Sequence, residues 1–199
     1  MAHSMRSDVV DRPRAVLVTG VPGSGKTTLA TQLARELRVP FLARDDVRGG
    51  LLMTAGAWEP TLRHVPSGDE AVAVFLRVAE LLLESGVSCV LEYVVRADRP
   101  ADFERLSAIA DIVVVEVYSD EPLRRVAQRN DADRLIANPA VLAATGFDSV
   151  AAHTAAVVER MSAVVPQMRT DFGVPTIRVD RSDGVELELD DLIAFVTQE

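Results

Sequence analysis

The segment 20–27 constrains this chain more than any other, because it reads Gly-Val-Pro-Gly-Ser-Gly-Lys-Thr and matches the pattern G-x-x-x-x-G-K-[ST]. An apolar run at 15–19 precedes it, and Leu29, Leu33 and Leu37 follow at helical spacing. Glycines let the backbone wrap closely with its N–H groups pointing inward, and the following helix offers its positive end to an anion. The segment therefore predicts a phosphate-binding loop between a buried strand and a helix.

Individual residues of this loop have predicted roles in binding ATP and Mg²⁺. Lys26 is expected to reach the outer phosphates and to act in catalysis, and the Thr27 hydroxyl is expected to hold Mg²⁺. Lys26 is the only lysine among the 21 lysine and arginine residues, which places a compact ammonium where a planar guanidinium would not fit between phosphates. A glycine-rich turn without a ligand is the alternative. The residues predicted to bind nucleotide are Gly20, Pro22, Gly23, Ser24, Gly25, Lys26, Thr27 and Thr28.

The alternation of strand and helix patterns predicts the fold class. Further apolar runs occur at 41–43, 87–91, 112–118 and 176–179, and helical patterns separate them. Strands that are almost continuously apolar are typical of a parallel sheet covered on both faces. We therefore expect an α/β fold of the P-loop NTPase type, similar to the nucleoside monophosphate kinases. It would be a three-layer sandwich of about five parallel strands with helices on both faces, and the site would lie at the C-terminal ends of the strands.

Local signals predict where several helices begin and end. A capping box at Ser67–Glu70 begins a helix that Gly86 is placed to end. Pro100 begins another helix. A long helix is expected over 149–168, with its valines facing inward and a bend at Pro166.

The length of 199 residues fits one domain. Residues 1–13 are predicted to be a lead-in, partly left over from cloning, and residues 14–199 a single domain with a lid around 120–147. The stretch 53–66 contains Gly, Trp and Pro without a clean period, which indicates a mobile loop or a broken helix over the site.

Charge and composition restrict the partners. The formal net charge of −9 disfavours nucleic acid as a partner, because binding to its phosphates gains from positive charge. No apolar run approaches a membrane span, and the start lacks the apolar segment of a signal peptide. A single cysteine, Cys89, lies in an apolar run and fits a reducing compartment. We therefore expect a cytoplasmic protein without membrane contact that acts on a small molecule.

Carboxylates follow the second and third predicted strands. The run 44–48 reads Arg-Asp-Asp-Val-Arg, and Asp45 is predicted to be the base that orients the attacking hydroxyl and to contact the metal. Asp46 is the alternative and is predicted to bind substrate, although an aspartate here also suits a helix N-cap. Arg48 is predicted to bind an anionic part of the acceptor, or else to be a surface arginine. Glu92 is predicted to contact Mg²⁺ or its water shell, or else to be an exposed strand end.

Arginines follow the fourth predicted strand. Arg125 and Arg129 are four residues apart and would share a helix face, and Arg134 lies shortly beyond. On a closing lid they would stabilise the charge on the transferring phosphoryl group, so all three are predicted to be catalytic. The alternative is a solvated basic face. The turn at 180–184, after the fifth strand, is expected to border the adenine.

In their order along the chain, these motifs resemble the P-loop kinases grouped around phage-type polynucleotide 5′-kinase, with zeta toxins and chloramphenicol phosphotransferase as more distant relatives. The resemblance covers roughly residues 14–135. It implies that Asp45 is the general base, that Arg48 contacts the acceptor, and that Arg129 and Arg134 are lid arginines. The acidic net charge departs from polynucleotide kinases, so the identity of the acceptor does not follow from the resemblance.

These observations together predict an ATP- and Mg²⁺-dependent kinase that phosphorylates a hydroxyl of a small molecule. A nucleotide or nucleic-acid 5′-hydroxyl kinase is one alternative. An ATP-binding regulatory module with little transfer activity is an alternative of another class.

Overall fold

The structure is a computed structural model that describes residues 12–57, 64–128, 139–169, 171–182 and 189–198. Its strands are Arg14–Gly20 (β1), Phe41–Ala43 (β2), Cys89–Glu92 (β3), Asp111–Tyr118 (β4) and Thr176–Asp180 (β5). They form one five-stranded sheet in the order β2-β3-β1-β4-β5, and every pairing in it is parallel. The parallel sheet predicted from the apolar runs is confirmed.

Helices connect the strands. They are Lys26–Leu37 (α1), Arg44–Leu52 (α2), Gly68–Glu84 (α3), Pro100–Ile109 (α4), Pro122–Gln128 (α5), Pro139–Thr145 (α6), Val150–Val164 (α7) and Leu189–Thr197 (α8). A π-helical turn, Met53–Ala57, continues α2, and a 3-10 turn, Val165–Gln167, follows α7. The broken helix predicted over 53–66 is therefore present in its first residues, while 58–63 lie outside the described residues.

The sheet is covered on both faces, which confirms the three-layer sandwich. Alternate residues of β1 point to opposite faces of the sheet. Ala15 and Leu17 pack with α3 and α4 on one face, whereas Val16 and Val18 pack with α1 and α8 on the other. The side chains that fill the first of these layers include Phe75, Leu76, Phe103 and Leu106, and those that fill the second include Leu29, Leu33, Leu192 and Val196.

The strand order places the site. The helix that follows β1 packs on one face of the sheet, and α4, which follows β3, packs on the other. A crevice opens at the C-terminal ends of neighbouring strands whose connections leave in opposite directions. Glu92 pairs in register with Val18 of β1 on one side and with Ala43 of β2 on the other. The end of β3 therefore lies between the start of the phosphate loop and the start of α2.

The capping box predicted at the start of α3 is confirmed. The Ser67 N–H donates to Glu70 Oε2 at 2.7 Å, and the Glu70 N–H donates to Ser67 Oγ at 3.1 Å. The helix ends at Glu84, and Gly86 follows with φ +76°, the left-handed conformation that favours glycine. The start of α4 at Pro100 is also as predicted.

The helix predicted over 149–168 is shorter than expected. It ends at Val164, and Pro166 lies in the 3-10 turn, because proline has no N–H to continue the helical hydrogen bonds. Val157 and Val158 are half-buried instead of lying in the main core. The physical reason is that α1, α3, α4 and α8 already cover the sheet, so α7 packs on α5 outside those layers.

The structure also bears on membrane association. Within the described ranges, no helix combines the length and the apolar character needed to span a bilayer.

Candidate functional site

The phosphate loop between β1 and α1 has a backbone that only glycine can adopt at two positions. Gly20 has φ +138°, and a Cβ placed on it would collide with the carbonyl oxygen of Val117. Gly23 has φ +89°, and its Cβ would collide with the carbonyl oxygen of Pro122 and stand 2.9 Å from Cγ2 of Val126. The loop is therefore held against β4 and α5 by direct backbone contact.

Polar groups lie buried inside this loop. The Lys26 side chain is 7% exposed, and its Nζ donates to the carbonyl oxygen of Val21 at 3.1 Å. Ser24 is fully buried, and its Oγ has no hydrogen-bond partner in the described part of the chain. Buried polar atoms are nearly always hydrogen-bonded in folded proteins. A buried ammonium and an unsatisfied hydroxyl in one glycine-lined loop fit a ligand rich in acceptor oxygens, as phosphates are.

Thr27 and Glu92 meet across the crevice between β1 and β3. The Thr27 hydroxyl donates to Glu92 Oε2 at 3.0 Å. Burial raises the pKa of the Glu92 carboxyl above its usual value, and the nearby carboxylates of Asp45 and Asp46 raise it further, while Lys26 and Thr27 oppose this. Glu92 is half-buried, so the interpretation of it as an exposed strand end is wrong.

Asp45 and Asp46 lie in the first turn of α2, next to Glu92. Ala43 is the N-cap of α2, and no side chain caps this helix, so the N-cap interpretation of the two aspartates is wrong. The Asp45 side chain is 63% exposed, and its Oδ1 lies 2.7 Å from Nη1 of Arg44. The aspartates are therefore accessible carboxylates at the mouth of the crevice, and one of them is paired with an arginine.

Arg48 lies one turn further along α2 and is half-buried. Its Nε is buried and, among the residues described, finds no hydrogen-bond partner. Burial lowers the pKa of the Arg48 guanidinium, and the positive charges of Arg44 and Arg160 lower it further, while Asp45 opposes them. The interpretation of Arg48 as a surface arginine is wrong.

The predicted lid arginines are only partly covered by the structure. Arg125 is on α5, half-buried, and its charge contributes to a lowered pKa of Asp180, which is mainly due to hydrogen bonds from Ser182. Arg129 and Arg134 lie outside the described residues, so their prediction stays a prediction. The neighbouring Arg124 forms an exposed ion pair with Glu121 at 2.7 Å. This pair is what the alternative of a solvated basic face predicts.

Two arginines near the site were not singled out from the sequence. Arg181 follows β5, and its Cβ and Nε lie 3.9 Å from where a Cβ of Gly25 would stand. It belongs to the turn predicted to border the adenine, of which 183 and 184 lie outside the described residues. The positive charge of Arg160, on α7, contributes to the lowered pKa of Arg48. Arg181 could have been singled out because it directly follows the last strand, whereas no sequence signal links Arg160 to α2.

The residues at the crevice fit a magnesium nucleotide. Mg²⁺ is usually held by one or two carboxylates together with substrate phosphates. Within the part of the chain that the structure covers, no three His, Cys, Asp or Glu side chains converge as a complete metal site. The Thr27 hydroxyl and the Glu92 carboxylate instead offer a partial ligand set beside the loop.

Comparison with known proteins agrees with this fold. A family model described as AAA domain matches residues 16–145. A search of curated proteins gives no match.

Solved structures share the fold at low sequence identity. A Chloroflexus aurantiacus protein, provisionally described as a kinase, is 23% identical with a TM-score of 0.65 over 94% of this chain and 97% of that one. The APS kinase of Mycobacterium tuberculosis, solved with AMPPNP and APS, is 19% identical with a TM-score of 0.55 over 94% and 99% of the two chains. An uncharacterised Eubacterium ventriosum protein is 13% identical with a TM-score of 0.53 over 93% and 99%. These matches show the fold, and the predicted P-loop NTPase architecture is confirmed.

Proposed function

We propose that this chain, which belongs to the AAA domain family, is an ATP- and Mg²⁺-dependent kinase. It would transfer the γ-phosphate of ATP to a hydroxyl of a small molecule. The single observation that carries the proposal is the contact between Thr27 and Glu92, 3.0 Å apart at the crevice, with the buried Lys26 ammonium in the adjoining loop. This arrangement combines phosphate-binding amides, an ammonium and oxygen ligands for a cation. Asp45 and Asp46 stand at the end of the next strand, where an acceptor hydroxyl would approach.

Each residue has a role in this proposal. The loop amides and Lys26 bind the phosphates and keep the outer ones in place. Thr27 and Glu92 hold Mg²⁺, which when bound neutralises charge on the phosphates. Asp45 orients the acceptor hydroxyl and accepts its proton, and its exposed carboxylate, 2.7 Å from Arg44, is accessible for that task.

Positive charge on the transferred group completes the proposed site. Arg125, Arg129 and Arg134 are proposed to supply it from the segment 120–147. Arginines that reach a transferring phosphoryl group increase the rate by about 10³–10⁵ in other phosphoryl-transfer enzymes. The half-buried Arg125 on α5, the helix that contacts the phosphate loop at Gly23, supports its part in this role.

The decisive experiment measures ADP release from Mg·ATP across sugars, nucleosides, antibiotics, other alcohols and a 5′-hydroxyl oligonucleotide. We expect turnover with a small alcohol, and Lys26→Ala should lower it at least about 100-fold because the ammonium stabilises the outer phosphates. Circular dichroism of the variant should match the wild type. Unchanged turnover in Lys26→Ala would contradict the nucleotide site.

Asp45→Asn tests the proposed base. We expect transfer to fall at least about 100-fold while the Kd for ATP stays within a factor of about two, because the residue faces the acceptor. Asp46→Asn removes the same charge from the neighbouring position, and a larger loss of transfer in this variant would assign the base to Asp46, the alternative predicted from the sequence. Loss of ATP affinity in Asp45→Asn would instead assign Asp45 to the metal.

A second candidate function is a 5′-hydroxyl kinase for nucleotides or nucleic acids. The run from Arg44 to Arg48 favours it through the resemblance to polynucleotide kinases, and the net charge of −9 opposes it. Efficient labelling of the oligonucleotide at moderate salt would select this candidate. ATP binding without ADP release on any acceptor would select the regulatory module.

A further inference from the structure

The outer face of α3 carries an exposed apolar stripe formed by Val74, Val78 and Leu81, called here the α3 stripe. These side chains are 39%, 38% and 64% exposed, and they are three of the four large apolar side chains exposed within the described residues. The opposite side of α3, which includes Phe75 and Leu76, packs in the core. The spacing of the stripe, four residues and then three, is typical of a helix that packs against a second helix.

Two charges of opposite sign flank the α3 stripe. Arg77 and Glu84 are both exposed, and they lie on the same side of the helix because seven residues make almost two full turns. In the part of the chain that the structure describes, neither side chain forms an ion pair or a hydrogen bond. The other charged side chains of α3 all have a partner, in the pairs Asp69–Arg99, Glu70–His64 and Glu80–Arg105.

We propose that α3 is a dimerisation surface, on which a second copy of this chain packs its own α3 in the antiparallel direction. The two-fold axis passes between positions 79 and 80, and such an axis makes every contact occur twice. Val78 then contacts the partner's Leu81, and Arg77 pairs with the partner's Glu84. Both flanking charges of each copy gain a partner in this way. The dimer does not depend on the proposed kinase activity.

The charge pattern selects this register and identifies the occupant as a second copy. Sliding one helix by seven residues in one direction would bring the two Arg77 side chains together. Sliding it in the other direction would bring the two Glu84 side chains together. Like charges at these flanking positions disfavour a pairing, and opposite charges favour it. The arrangement centred between positions 79 and 80 is thus self-complementary, which is what a two-fold interface requires.

The size of this surface predicts a weak dimer. The helix α3 has 17 residues and is therefore about 25 Å long. Two helices of this length bury less than the roughly 1,200–2,000 Å² of a stable specific interface. We therefore expect reversible association with a Kd on the order of 10⁻⁵ M.

Sedimentation velocity at low ionic strength tests the association, from about tenfold below to about tenfold above that Kd. The wild type should shift from monomer to dimer. Arg77→Glu and Glu84→Arg should each raise the Kd at least about tenfold, because each replaces both attractive pairs by repulsive ones. Arg35→Glu is the matched control, since it makes the same charge change at an exposed arginine of α1 and should leave the Kd unchanged. A wild type that stays monomeric throughout would overturn the proposal.

A mixture of the two charge variants tests the pairing itself. When Arg77→Glu meets Glu84→Arg, each introduced charge faces an opposite charge on the other chain. We therefore expect a heterodimer with a Kd close to that of the wild type, which native mass spectrometry can identify from the masses of the two chains. Rescue by mixing also excludes misfolding as the cause of the weakening. Failure of the mixture to associate would overturn the antiparallel contact.

Leu81→Gln separates a second copy from a segment of the same chain as the occupant of the α3 stripe. Glutamine keeps the high helix propensity of leucine, and the side chain that it replaces is 64% exposed. In protein diluted well below the Kd, the denaturant midpoint should equal that of the wild type, whereas dimerisation should weaken at least about tenfold. A lowered midpoint in dilute protein would show that the chain covers its own stripe, and the proposal would fail.

Discussion

Gly23 brings the backbone of the phosphate loop against α5, and this contact leads to a prediction at the scale of single residues. Gly23→Ala should lower the free energy of unfolding by about 2–4 kcal/mol, because it adds both left-handed strain and a collision with the Pro122 carbonyl. The Kd for ATP should rise at least about tenfold as the loop shifts. Chemical denaturation and calorimetry measure the two effects.

Gly86→Ala is the matched control for that substitution. Gly86 has φ +76°, but nothing lies within 4 Å of the added Cβ. Gly86→Ala should lower the free energy of unfolding only by the backbone strain, about 1–2 kcal/mol, and should leave the Kd for ATP unchanged. Equal changes in unfolding free energy and in ATP affinity for the two variants would show that the contact of Gly23 with α5 contributes to neither.

Cys89 is predicted to be inert in the folded protein. Burial raises the pKa of its thiol to about 11, and the residue is 1% exposed. Only roughly one thiol in a thousand is then ionised at pH 8, and thiolate is the reactive form. Iodoacetamide should therefore label native protein far more slowly than protein in guanidinium, as mass spectrometry can measure. Rapid labelling of native protein would show that β3 opens readily.

Residues within one motif could be predicted from sequence, and residues joined by tertiary contact could not. The loop from Gly20 to Thr27 carries its geometry in its glycines, so its conformation was readable. The meeting of Thr27 with Glu92 also required that β3 lie beside β1, which the residues themselves do not indicate. By contrast, the positive charge of Arg160, which contributes to the lowered pKa of Arg48, comes from a helix more than 100 residues away, and no local pattern encodes that.

At the scale of elements, the capping box of α3 predicts a pH-dependent contribution to stability. Hydrogen bonds from Ser67 lower the pKa of Glu70, so the folded state favours the ionised carboxyl. The stabilisation is therefore present above the ordinary pKa of about 4.5 and is lost as the pH falls through the lowered folded pKa. The wild type should exceed Glu70→Gln in stability at pH 7, and the gap should close in acid.

Urea unfolding from pH 7 to pH 3 measures this gap. Ser67→Ala is the companion variant, and the loss of its N-cap should cost about 1 kcal/mol at neutral pH. A gap between wild type and Glu70→Gln that does not change with pH would contradict the ionic contribution.

Element boundaries followed the strength of local signals. The starts of α3 and α4 were predictable, because a capping box and an N1 proline act within one turn. The prediction for α7 was wrong in length and burial, because its valines resemble a core face although the layers of the sheet are filled by other helices. Local hydrophobicity indicates that a face is buried but does not say against what.

For the whole molecule, α8 closes the layer opposite α3 and α4. Leu192 is 1% exposed and packs with Val16, Val18 and Leu29. Leu192→Ala should lower the free energy of unfolding by about 2–5 kcal/mol, the range for buried leucines. Denaturant titration measures the change. Leu81→Ala is the control, since Leu81 is 64% exposed and should change stability by about 0.5 kcal/mol or less.

The layer architecture was predictable from the apolar strand pattern, but the strand order was not. The almost continuous apolar run of each strand shows that both of its faces are buried. This pattern is the same for any order of parallel strands. The order β2-β3-β1-β4-β5 determines that Glu92 stands between the ends of β1 and β2. The convergence of the carboxylates thus depends on long-range pairing.

The hydrogen bond from Thr27 to Glu92 leaves the lone pairs of the Thr27 oxygen available to a cation. A hydroxyl that gives its proton to a carboxylate keeps both oxygen lone pairs, and a divalent cation needs one of them. Glu92, across the crevice, thereby fixes the rotamer of the Thr27 hydroxyl, and in the proposed Mg²⁺ site this would leave little rearrangement for metal binding. A serine in its place would preserve this readiness, whereas an isosteric valine would abolish it.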